Sequence, residues 1–155
     1  MYAWLKLLHV LSVVIFLGNI ITGLFWHAHA RRSRDARIVA HAMAGIIRSD
    51  RVFTIPGVLA IIVTGVITAM LGGYSLLRTP WIAGGIALFA ISGIAFMAKV
   101  APLQRQLHTL ADSGGSALNW KEYDALTAKW ELWGAVALIM PLAALVLMVL
   151  KPTFG

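Results

Sequence analysis

The sequence contains no cysteine. Disulfides, thiolate metal sites and iron–sulfur clusters are therefore excluded. Acidic residues are also scarce: six Asp and Glu stand against thirteen Lys and Arg, a net charge of +7 over 155 residues. Charged residues of both signs make up only 12% of the chain, half the usual share of a soluble domain. Internal repeats and low-complexity tracts are missing too. What fills the chain is apolar: 60% of residues are hydrophobic and the mean hydropathy is +0.84.

Asp, Glu, Lys and Arg are absent from four long runs, Leu7–Ala30, Val52–Leu77, Thr79–Ala98 and Leu132–Leu150. About 20 apolar residues cross the hydrocarbon core as a helix. The runs predict an all-α, up-down transmembrane four-helix bundle, one integral-membrane domain over 1–155, with spans at about 5–30, 52–72, 79–99 and 131–150. The first run is too long for the apolar core of a signal peptide and lacks a clear small-residue cleavage site, so it is expected to be a true helix. Residues 31–51 hold six arginines against Asp35 and Asp50, whereas Gly72–Pro80 holds only Arg78. The positive-inside rule then places 31–51 and 99–131 in the cytoplasm, and both termini in the periplasm of a bacterial inner membrane. The arginine run reads as a topology signal or lipid contact, not as a nucleic-acid patch.

The helices are expected to extend past the bilayer into the cytoplasm. Apolar residues at 38, 39, 42, 43, 46 and 47 form a helical stripe that Asp35 or Ser33 would cap. The third helix should continue past Pro102 to stop at Asp112–Ser116, and the fourth should begin near Ser116 or Asn119. Bends are expected at Pro56 and Pro141.

The opening run nevertheless carries three histidines and an asparagine. At 3.6 residues per turn His9, Ser12, Phe16, Asn19, Gly23 and His27 stack on one face, opposite Val10, Val13, Val14, Leu17, Ile21, Leu24 and Phe25. The polar face should turn into the bundle. Gly65 on the second helix, and Trp81, Gly84 and Gly85 on the third, fall on matching inner faces. Small residues let membrane helices approach closely. They also leave room for a flat cofactor, so His9 is either a hydrogen-bonded structural residue or an iron ligand opposite a glycine-walled slot. His27 is a weaker metal candidate. His29, two residues on, does not share its face, and a site built with His41 and His108 would need the loops to fold back. At the inner boundary Asp50, Arg51, Lys99 and Glu131 fall at one level, with Lys99 and Glu131 pointing inward. They read as an ion-pair ring or as a gate.

The segments WLKLLHVLSVV, DRVFTIPGVLAIIVTG, TPWIAGGIAL, PLQRQL and LMVLKP resemble a group of small bacterial integral-membrane proteins similar to the HemJ protoporphyrinogen oxidases and the CopD copper-resistance proteins. The resemblance covers nearly the whole chain. It implies a haem b-binding protein with a redox or electron-transfer role, with HemJ-like oxidoreductase activity as one expectation and His9 as ligand in the Leu8–His9 pair. Porphyrin or quinone would be its partner beside the lipid bilayer and a second copy of the chain. Arg51 and Pro56 echo the family's second-helix signature. The family's third-helix Trp-Leu-His-x-Lys reads here Trp81–Ile82–Ala83–Gly84–Gly85, which lacks both His and Lys. Two other functions stay open: transport or handling of a small molecule or of copper, with Asn19, Lys99 and Glu131 lining a path, and a non-catalytic assembly subunit marked by Trp120, Trp130 and Trp133.

Overall fold

A computed structural model describes residues 1–152. The elements run α1 (Tyr2–Arg32), α2 (Ala36–Ser49), a π-helical turn (Asp50–Thr54), α3 (Ile55–Leu71), α4 (Pro80–Ala95), a second π-helical turn (Phe96–Val100), α5 (Ala101–Gly114), a short 3₁₀ turn (Gly115–Ala117) and α6 (Trp120–Leu150). No strand occurs among the described residues. Because α2 runs into α3 and α4 into α5, the chain makes four long rods of 31, 36, 38 and 31 residues. At 1.5 Å per residue these are about 46 to 57 Å long. The hydrocarbon core is about 30 Å thick, so each rod crosses it and projects beyond.

Proline places the two π-helical turns. Pro56 and Pro102 each stand two residues past the end of one. A proline inside a helix has no N–H for the carbonyl four residues back, here that of Val52 or Ala98, and its ring crowds that oxygen. Widening the preceding turn removes the clash and leaves the rod continuous. Pro141 lies inside an uninterrupted α6.

Polar chain ends and turns follow local chemistry. Asp35 caps α2, its carboxylate accepting the Arg37 and Ile38 N–H groups. Asn119 caps α6 by accepting from the Glu122 N–H. Arg34 holds a left-handed φ of 51° and is held there through its side chain, which donates to Asp124 at 2.8 Å and lies over Trp120.

The core is divided. The larger cluster, including Val39, Met43, Leu107 and Tyr123, joins α2 and α5 to the last turns of α1 and the first turns of α6. It lies at the arginine-rich end. Toward the termini, α1 pairs with α3 and α4 with α6, while neither α1 nor α3 approaches α4 within 8 Å between Cα atoms. Phe16, Leu17 and Ile61 fill this second cluster. Leu17, expected opposite the inward polar face of α1, is thus buried. Val10, Val14, Ile21 and Phe25 do face outward. Ser92 ties the α4–α6 pair by donating to the Ala137 carbonyl. Contacts of this kind between small residues and backbone are a main source of helix cohesion in lipid.

Candidate functional site

The most unusual group is Asp50, 7% exposed in the first π-helical turn. Its Oδ1 accepts from Asn19 Nδ2 of α1 at 3.0 Å and from Thr54 Oγ1 at 2.7 Å. Its Oδ2 accepts from Gln104 Nε2 of α5 at 2.9 Å. Asn19 Nδ2 also donates to Thr54 Oγ1 at 2.9 Å. Three neutral donors from three elements therefore surround one carboxylate. Among the described residues no Lys, Arg or His comes within 4.0 Å of it. A buried carboxylate normally has a cationic partner. Here the hydrogen bonds alone hold it.

The π-helical turns bring this group together. Asp50 and Thr54 lie in the first, and Gln104 follows Pro102 just past the second. Such turns recur at functional sites because they redirect side chains inside an otherwise regular helix. Against the second of them lies a cavity of about 20 Å³, lined by Asn19, Asp50, Gln104, Phe96, Trp130 and Gly134 among others. It is large enough for one water molecule.

Past this cavity, toward the arginine-rich end, His27 is fully buried. Its Nε2 is 2.9 Å from the Tyr123 hydroxyl and its ring meets Trp130 edge-on at 4.8 Å. His27 Nδ1, Trp130 Nε1 and Thr127 Oγ1 are buried without a hydrogen-bond partner. Buried polar atoms without a partner are uncommon. At the surface above them Asp124 pairs with Arg34 at 2.8 Å and with Arg31 at 3.5 Å.

His9 occupies a separate place near the termini. Its Nδ1 lies 3.1 Å from the Ile61 carbonyl and 3.2 Å from Thr64 Oγ1. The Thr64 hydroxyl donates to the Ala60 carbonyl, so its oxygen is free to accept. Both neighbours of Nδ1 are then acceptors, which fixes the proton on Nδ1 and leaves the Nε2 lone pair outward. The ring rests on Gly65, where an added Cβ would come 2.9 Å from Cε1.

The expected residues are thus divided between several places. His9 meets Gly65 as anticipated. Gly84 and Gly85 do not face His9: their surfaces are filled by Leu147 and Met148 of α6, because α4 packs on α6 instead of α1. Trp81 stands edge-on to Tyr74, with the Lys151 ammonium over its ring. A porphyrin needs an axial ligand and a flat slot. The orientation of His9 fits the first, but the walls expected of Gly84 and Gly85 do not form. The boundary ring does not form either. Asp50 is buried among Asn19, Thr54 and Gln104, Arg51 and Lys99 are exposed, Lys99 reaches toward Trp133, and Glu131 is 3.8 Å from Arg31. The π-helical turn before Pro102 shifts the register of Lys99 away from the interior. His29, His41 and His108 contribute to no cluster of three metal-binding groups among the described residues. Trp130 is buried, and Trp120 and Trp133 are partly buried in the larger core, so this trio forms no outward belt. Sequence reasoning missed Gln104, and placed Thr54 on the inner face of its helix without a role beside Asp50. The one signal available was Pro102 and Pro56 at matching distances from them.

Residues 3–152 match the model of a family described as "Predicted integral membrane protein (DUF2269)". The chain belongs to that family. No curated protein and no solved structure matches it. The DUF2269 chain is a multi-pass integral-membrane protein with four helices long and apolar enough to span a bilayer.

Proposed function

We propose that this DUF2269 protein is an ion-handling membrane protein of the transport type, in which Asp50 takes up and releases a proton. The observation that supports the reading is the buried Asp50 carboxylate, met by three neutral donors and no cation. Ionisable residues inside membrane proteins mark ion and substrate paths by default. The network also gives proton uptake a structural consequence. A protonated Asp50 becomes a donor at one oxygen and has fewer lone pairs to offer. If the proton sits on Oδ2, the Gln104 amide must rotate to present its oxygen, and α5 feels the change. If it sits on Oδ1, Asn19 or Thr54 must let go. The arginine-rich end is cytoplasmic in this reading, and the membrane is the bacterial inner membrane.

Infrared difference spectra of the reconstituted protein, taken across a pH step, test the proposal. A carboxylic acid band that appears on acidification in the wild type and is missing in Asp50→Asn is expected. Identical difference spectra would remove the basis of the reading. A periplasm-active reporter should be active at the C terminus and silent at Gly114. The opposite pattern reverses the orientation.

The held imidazole of His9 favours a second reading, a haem b site with a redox role and kinship to the HemJ and CopD families. Nδ1 anchored on a backbone carbonyl is the usual support of a histidine ligand, and Nε2 is left for the iron. Bound haem would supply one-electron chemistry. Protein purified after growth with ample haem should show a Soret band that His9→Ala weakens or loses. A colourless wild type ends this reading and leaves the first intact.

A further inference from the structure

A groove of about 920 Å³ runs between α1 and α2. Asn19 and Ser49 lie at its deep end, Gly23, Ala42, Gly45 and Ile46 along its floor, and His29, Arg37 and His41 toward its outer end. Three observations concern its occupant. The first is depth. Phe25 and Trp26 beside it are 62% and 58% exposed, and aromatic residues so placed where a rod leaves the hydrocarbon mark the headgroup layer. The second is charge. Arg37 is 91% exposed at its side chain and 3.8 Å from Asp35, whose other oxygen is taken by the cap of α2. Among the described residues Arg32, Arg48 and Arg51 have no acidic partner within 4.0 Å. Asp35 lines the groove beside Arg37, so the surplus positive charge is that of Arg32, Arg48 and Arg51 on the chain that flanks it, at the depth where lipid phosphates sit. The third is form. The floor is apolar and open: nothing lies within 4 Å of a Cβ added at Gly45.

We propose that the groove binds the headgroup and first acyl carbons of one anionic phospholipid, with Arg37, His29 and His41 toward the phosphate and the Gly45 floor toward the chain. Basic pockets between membrane helices at this level take anionic headgroups. A free phosphate would have no use for the apolar floor. The inference is independent of the role assigned to Asp50, although Asn19 is common to both places.

Native mass spectrometry of the detergent-solubilised protein, incubated with equal amounts of phosphatidylglycerol and phosphatidylcholine, tests it. The wild type should retain one phosphatidylglycerol in preference to phosphatidylcholine. Arg37→Glu should lower that preference about fivefold or more, at roughly one tenfold step per 1.4 kcal/mol and about 1 kcal/mol per basic side chain. Gly45→Phe should fill the floor and abolish retention while far-UV circular dichroism stays that of the wild type. Arg37→Glu carries the test alone should Gly45→Phe fail to fold. Equal retention of the two lipids, or wild-type preference in Arg37→Glu, would overturn the proposal. Displacement of the bound lipid by millimolar inorganic phosphate would reassign the site to free phosphate.

Discussion

Replacing Gln104 by leucine removes the one donor to Asp50 Oδ2 at nearly constant volume. Gln104 is 4% exposed, and leucine fills the place it leaves, so bulk solvent does not reach Oδ2; a single water in the adjoining cavity would lower the cost toward the bottom of the range. A hydrogen bond to an ionised group contributes about 1.5–3 kcal/mol, and one between neutral groups about 0.5–1.5 kcal/mol. Gln104→Leu should therefore destabilise the wild type by about 2–3 kcal/mol when Asp50 is ionised. In an Asp50→Asn background, where no anion is present, the same change should cost only about 1 kcal/mol. The difference, about 1–2 kcal/mol, is the coupling energy of the pair. It is measured by unfolding the four proteins reversibly in mixed micelles, followed by tryptophan fluorescence. The sign of its pH dependence follows from the charge. Coupling is present above the titration of Asp50 and is lost as the pH falls through it. Equal costs in both backgrounds at high pH, within about 0.5 kcal/mol, would mean that Gln104 does not stabilise a carboxylate, and the ionic account of the centre would be wrong.

Gly65→Ala should push the His9 ring off its seat, at a net loss of about 1–2 kcal/mol. In His9→Ala the same substitution should become neutral or stabilising by up to about 1 kcal/mol, since alanine is the better helix former; a micelle unfolding series that shows the same loss in both backgrounds contradicts the contact. Tyr123→Phe should cost about 1–3 kcal/mol by leaving His27 Nε2 buried and unpaired, and wild-type stability would show that the pair is replaceable by water. Asp35→Ala should cost about 1 kcal/mol through loss of the α2 cap, with faster hydrogen exchange confined to the Arg37 and Ile38 amides and their neighbours. Exchange that is uniform along α2 would speak against a capping role.

The sequence by itself determined the number of helices long and apolar enough to span a bilayer and the polar face of α1. Uncharged runs about 20 residues long have no other stable use in a bilayer, and polar side chains on them must turn inward. It also narrowed the cap of α2 to Asp35 or Ser33 and the start of α6 to Ser116 or Asn119, since such signals depend only on neighbouring residues; the folded chain uses Asp35 and Asn119. The tertiary structure alone decided which inward faces meet. Gly65, Gly84 and Gly85 all lie on inner faces, but helical periodicity carries no statement of partner, and α4 chose α6. The packing set Leu147 and Met148 against Gly84 and Gly85, and left His9 to α3. Asp50 was legible as a boundary charge, but its partners stand 31 residues before it and 54 after it. Nothing local in the chain records such distances. The second π-helical turn, Phe96–Val100, shifted the helical register of its rod, so a uniform count of 3.6 residues per turn placed Lys99 inside where the folded chain has it exposed.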